Sequence, residues 1–127
     1  MTAPATDERP GGLLAWQWSL YPRAHTTHPN LAVHALTAPF FVAGTVALLA
    51  SPWVRSLGLA LGGAAAMVAV MLVQMRSHRT EPAAPATFRG PLDVIQRFLA
   101  EQWITFPRYI VSGEFVRAWR GESISRR

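Results

Sequence analysis

The chain has 127 residues, enough for one domain. Half of them are hydrophobic, the formal charge is +5, and every basic residue is arginine. There is no cysteine, which excludes disulfides, thiolate nucleophiles and cysteine-ligated iron–sulfur clusters.

Charge and apolar substance are segregated. From Arg76 onward nine arginines stand against five acids, whereas Ser56 to Met75 carries no charge. A soluble domain of this size would mix the two more evenly, so a membrane protein is the expectation, with a soluble helical domain round a very apolar core hairpin as the competing reading. The arginines do not point to nucleic acid. They are interleaved with acids, and the aromatics beside them are Trp and Phe at helical spacing. Anionic lipid headgroups are the simpler partner.

Residues 1–15 read as a disordered tail, opening MTAPATDERPGG. That stretch lacks the basic start and apolar run of a signal peptide. Residues 16–79 hold a histidine-bearing lead-in and a transmembrane hairpin. The first apolar run, Leu36 to Trp53, needs its flanks to reach the roughly 20 residues of a span, giving about 31–53. Pro39 is expected near the front of this helix, where a missing N–H costs least. Thr37 and Thr45 are expected to turn their hydroxyls onto the preceding turn. The second span covers about 55–76. Ser51, Pro52, Arg55 and Ser56 mark the turn between them, too short for anything but antiparallel neighbours. Trp53 is placed at the membrane interface.

Gly58 and Gly62 form a G-x-x-x-G pair of the kind that lets membrane helices approach closely. With two spans per chain, homo-oligomerisation is expected. The loop between spans holds Arg55 alone, while Arg23, Arg76, Arg79 and Arg89 flank the other ends. Positive charge prefers the cytoplasm, so both termini are expected there, in a bacterial inner membrane.

Residues 80–90 are a Pro/Ala linker, residues 91–120 amphipathic interfacial helices, and residues 121–127 a tail. Pro91 suits a first helical turn. Leu92, Ile95, Phe98, Leu99 and Trp103 recur at helical spacing, with Arg97, Glu101 and Gln102 on other faces. Pro107 is expected to interrupt the helix. The expected fold class is thus an all-α membrane protein, a two-span hairpin followed by amphipathic helices.

All four histidines lie near one end of the hairpin: His25, His28, His34 and His78. His34 enters the first span and His78 follows the second, so antiparallel helices make them neighbours. Asn30 and His34 are four apart and share a helix face. Imidazole suits iron(II), zinc or copper. His25, His34 and His78 are the candidate metal ligands. Glu81 would complete the site or orient a ligand. His28 is the weakest member, because it adjoins Pro29 at the mouth of the helix. Four interfacial histidines with no common partner are the competing reading.

These residues resemble the Mpo-type membrane protein family. The shared pattern is Tyr21, His25, Asn30, His34 and Pro39, followed by His78, Glu81 and PATF at Pro85–Phe88. The resemblance covers roughly residues 16–90. Longer family members have about four spans, and the His78–Glu81 gap is one residue short of the common pattern. The fungal member is an iron(II)-dependent dioxygenase of 2-hydroxy fatty acids. The resemblance therefore implies an Fe(2+) cofactor, membrane lipid as partner and a fatty acyl substrate. It makes Tyr21, Asn30 and Glu81 the candidate catalytic residues. The alternative function is a non-catalytic membrane protein with a structural histidine cluster.

Overall fold

The computed structural model describes residues 8–122. The chain first bends at Gly11 and Gly12, whose φ values of 77° and 85° are left-handed and suit residues without a Cβ. Helix α1 then runs Gly12–Ala24. It takes up the end of the stretch expected to be a disordered tail, and residues 1–7 and 123–127 of the two expected tails lie outside the described residues. Its inward face carries Gln17 and Tyr21, four residues apart and both buried. That polar-headed stripe is why apolar periodicity did not reveal the helix.

Helix α2 spans His28–Ala50. Thr27 caps it by accepting the Asn30 N–H at 3.4 Å, and Pro29 sits in the first turn, where its lost donor is harmless. The helix starts earlier than the expected 31, so Pro39 falls in its interior rather than near its front. There its missing N–H leaves the Ala35 carbonyl without the usual helical donor. Thr37 and Thr45 donate to the carbonyls of Val33 and Phe41, at 2.6 and 2.8 Å. Helix α3, Leu57–Ser77, is capped by the Ser56 hydroxyl, which accepts the Leu59 N–H at 3.0 Å. A 3-10 turn at His78–Thr80 closes it.

The α2/α3 crossing is set by Gly44 and Gly63, while Gly58 and Gly62, expected to serve self-association, lie elsewhere. A Cβ on Gly44 would lie 2.7 Å from the Gly63 carbonyl oxygen, and one on Gly63 only 2.6 Å from that of Gly44. The backbones therefore touch at this point. Gly58 and Gly62 face outward. A Cβ on Gly62 would meet nothing within 4 Å, and one on Gly58 only the Ser56 hydroxyl at 3.9 Å.

Both hairpin helices are long and apolar enough to cross a membrane, at 23 residues for His28–Ala50 and 24 for Leu57–Thr80. Residues 81–90 form no helix. Helix α4 follows at Pro91–Ala100, then a π-turn at Glu101–Thr105, α5 at Phe106–Val111 and α6 at Glu114–Trp119. Pro107 does not interrupt the helical path. The wider π-turn just ahead of it continues into α5, where Pro107 occupies the first turn.

This C-terminal run packs along the hairpin. Phe98 is buried with Phe41 and Val70, while Phe106 and Tyr109 are buried with Leu31, Ala38 and Tyr21. The expected apolar stripe is split. Phe98 turns inward, but Leu92, Ile95 and Trp103 remain exposed, giving the run apolar groups on two faces. Two buried amides add a reciprocal bond between layers. Gln74 Nε2 donates to Gln102 Oε1 at 3.2 Å, and Gln102 Nε2 donates to Gln74 Oε1 at 2.7 Å.

Candidate metal centre

Three helix ends converge at one end of the hairpin. His25 caps the C-terminus of α1, His34 lies in the second turn of α2, and His78 opens the 3-10 turn after α3. One ligand atom from each lies within 4.8 Å of the others. The ring centroids are 4.5 Å apart for His25–His34, 4.8 Å for His25–His78 and 5.2 Å for His34–His78. His25 and His34 are buried. His28 is elsewhere. It stacks on Trp119 at 4.4 Å, with its Nε2 2.6 Å from that residue's carbonyl oxygen.

The fourth member is Glu101, at the start of the π-turn. Its Oε1 is 3.2 Å from His34 Nε2 and 3.6 Å from His25 Nε2, and it accepts the Tyr21 hydroxyl at 3.0 Å. Sequence reading gave Glu101 only a filler role on an outer helix face. The clue was available in EQWIT, where polar residues interrupt the buried run that links Phe98 to Phe106. Placing them inward needed the tertiary path.

Hydrogen bonding fixes which nitrogens face the centre. His25 Nδ1 donates to the Tyr21 carbonyl and His34 Nδ1 to the Asn30 carbonyl, both at 2.9 Å. A carbonyl only accepts, so each Nδ1 carries the hydrogen and each Nε2 presents a lone pair. Those two Nε2 atoms are 3.2 Å apart, with the Glu101 oxygen beside them. Three acceptors facing one another repel unless a cation lies among them, a metal ion or a proton. The residues therefore fit a divalent cation on donor chemistry as well as proximity, with the second ring nitrogen held by backbone as is usual for ligating histidine.

Burial raises the Glu101 carboxyl, but a proton on the adjacent His25 or His34 imidazole outweighs it and holds the group well below the usual carboxylate range. Burial lowers His25 and so favours its neutral ring, and Glu101 offsets this only in part. Tyr21 is raised by burial and by Glu101, and it stacks on His25 at 3.8 Å. It is thus a neutral hydrogen-bond donor.

Asn30 and Glu81 stand around the imidazoles. Glu81 Oε1 accepts the N–H groups of Thr26 and Thr27 at 2.8 and 3.0 Å, and its Oε2 accepts the Thr26 hydroxyl at 2.5 Å. Burial raises its carboxyl, but these donors and the Asn30 amide more than reverse that and leave it lowered. Asn30 Nδ2 donates to Glu81 and to the Ala24 carbonyl, each at 3.0 Å, while its Oδ1 accepts the Ser77 hydroxyl at 2.6 Å. One buried amide thereby ties the end of α1, the end of α3 and the linker together. Its nitrogen also lies 3.5 Å from His78 Nδ1.

Comparison with protein-family models, with curated proteins and with solved structures finds no match. The geometry alone carries the assignment. The all-α chain brings together a histidine/glutamate cluster capable of holding a divalent metal.

Proposed function

We propose that this chain is a membrane-embedded metalloprotein in which His25, His34, His78 and Glu101 hold one divalent cation at the polar end of a two-span hairpin. The observation that carries the reading is the facing pair of Nε2 lone pairs beside a carboxylate oxygen. A carboxylate with imidazoles suits iron(II), zinc and manganese. The Mpo-type resemblance of Tyr21, His25, Asn30, His34 and His78 makes iron(II) the first ion to test.

Membrane placement is supported by what the hairpin leaves uncovered. Only 33% of the apolar window in α2 and 17% of that in α3 is buried. Leu36, Phe40, Leu49, Leu57, Leu61 and Leu72 are all more than 60% exposed. A soluble monomer rarely leaves such a continuous apolar surface in water. Arginine distribution favours cytoplasmic termini, which tag accessibility on intact cells tests. A C-terminus on the far side would end that orientation.

The catalytic extension is dioxygenation of a 2-hydroxy fatty acid, as the resemblance implies. Bound iron(II) would supply the chemistry with dioxygen that side chains lack. Tyr21 would keep its proton and hold the Glu101 carboxylate in place. Asn30 and Glu81 would fix the loop that carries His25. The second reading is a structural cluster in a non-catalytic protein. It is favoured by Glu101 itself, since a proton shared with His34 or His25 would also satisfy the three acceptors.

Anaerobic purification with elemental analysis separates the two. Metal near one equivalent per chain, lost in His34→Ala and His78→Ala, supports the metal centre. No metal after anaerobic iron(II), zinc and manganese reconstitution leaves the structural cluster.

A further inference from the structure

The linker after α3 is fastened by side chains and not by its own backbone. Residues 82–88 belong to no helix and make no backbone-to-backbone hydrogen bond among the described residues. One end is pinned by Glu81, which accepts from Thr26, Thr27 and Asn30. The other end is pinned from α4. Arg97 Nη1 donates to the carbonyls of Ala86 and Thr87 at 3.1 and 3.0 Å, and its guanidinium lies 4.2 Å from the Phe88 ring centre. Pro82, Ala83, Ala84 and Pro85, between the pins, are all exposed. The two prolines stiffen that stretch and hold it extended.

This stretch borders the cluster. A cavity of about 70 Å³ is lined by His25, His78 and Glu101 and also by Pro85 and Ala86. Pro85 is itself exposed, so no further layer of described chain covers the linker there. His25 and His34 are buried, and an ion needs a path to reach them.

We propose that residues 82–88 form a strap that gates passage of the divalent ion between solvent and the cluster, with Arg97 as its latch. The proposal rests on the metal reading above. Undoing the latch takes two hydrogen bonds near the surface and breaks no helix, so the strap opens locally while the bundle stays folded. A gate of this kind sets rates and not affinity. Entry and exit use the same open state, so a larger open population speeds both alike and leaves Kd where it was.

The test uses the full-length protein in mild detergent, loaded anaerobically with cobalt(II), whose visible spectrum follows the bound ion. Uptake is timed on mixing with cobalt(II), and release on adding chelator at concentrations where the rate no longer depends on it. Arg97→Gln should speed uptake and release by about tenfold each at unchanged Kd, the effect of losing a charge-assisted hydrogen bond. Arg97→Lys keeps the charge but not the planar fork and should fall between the two. Two glycines inserted between Ala83 and Ala84 slacken the strap without touching Arg97 and should also speed both rates. If Arg97→Gln fails to fold, the glycine insertion decides the matter. Faster uptake with unchanged release means that Arg97 only repels the incoming ion, and overturns the gate. Release that no variant changes also overturns the gate, with the metal centre left standing. Failure of the wild type to take up cobalt overturns the metal reading and this proposal together.

Discussion

His25 Nε2 and His34 Nε2 face each other at 3.2 Å, and each ring is locked in that direction by a backbone carbonyl on its far nitrogen. Neither ring can turn away without breaking a buried hydrogen bond. A cation at this point therefore stabilises the fold as well as filling a site. At a free metal concentration about 100 times Kd, the gain is about 2.7 kcal/mol. Thermal melts should move up on metal addition in the wild type and stay unmoved in His34→Ala. Equal melting with and without metal in the wild type counts against the centre.

The two glutamates should behave differently. Glu101 touches both imidazoles, whereas Glu81 grips Thr26, Thr27 and Asn30. Glu101→Gln should remove a ligand and abolish stoichiometric metal. Glu81→Gln should keep the metal but weaken it by about 10–100-fold, the usual range for a group that orients ligands. His28→Ala should leave affinity unchanged, because that ring stacks on Trp119. Metal titration of the three variants distinguishes these roles.

The hairpin and its histidines were legible because their signals are local. A charge-free run from Ser56 to Met75 announces a long apolar helix. A short turn at 51–56 then forces His34 and His78 to one end. His25 and Asn30 stood out in the same polar stretch, and Tyr21 was added through motif resemblance. Glu101 was missed because its meaning depends on the linker at 81–90, which carries the C-terminal run back along α2. No spacing rule reports where a Pro/Ala linker leads. The glycines of the hairpin crossing were missed for a related reason. Gly58 and Gly62 form the recognisable motif, but Gly44 and Gly63 are the pair at the crossing. Which side of α3 meets α2 is a tertiary property.

That crossing gives a mutational contrast. Gly63→Val places carbon against the Gly44 carbonyl and the Leu48 backbone nitrogen, so the helices must separate. A loss of about 1–3 kcal/mol is expected from such overpacking. Gly62→Leu meets open space and should change the stability of one chain by less than about 0.5 kcal/mol. If the proposed homo-oligomer uses the outward Gly58/Gly62 face, the same substitution should lower its mass in mild detergent. Unfolding in detergent and mass measurement separate the two effects.

Acid should loosen the Arg9–Asp93 tie between the segment ahead of α1 and α4. The Arg9 guanidinium, against a smaller effect of burial, holds the Asp93 carboxyl down at about 2, below its ordinary 3.8. A depressed carboxylate contributes stability above its unfolded value, and that contribution is lost as pH falls through the folded one. The difference in melting temperature between wild type and Asp93→Asn should be constant from about pH 7 to 5 and shrink between about 4 and 2. A difference that persists unchanged at about pH 2 would show that the carboxylate charge is not what matters.

The reciprocal bond between Gln74 and Gln102 has a consequence for biogenesis. Gln74 is fully buried, and Thr37 and Gln102 accept from its side-chain nitrogen. During synthesis Gln74 precedes Gln102 by 28 residues of chain. Until Gln102 arrives, the Gln74 side-chain oxygen lacks its donor, and away from water that costs about 1–3 kcal/mol. In a bilayer, insertion and completion are then separate events. The hairpin goes in carrying an unmet amide, and docking of the later helices resolves it. Glu101, the neighbour of Gln102 in sequence, arrives beside His34 in that same docking step. A chain that stalls after the hairpin presents histidines without their carboxylate, so the centre matures only when the whole polypeptide has packed.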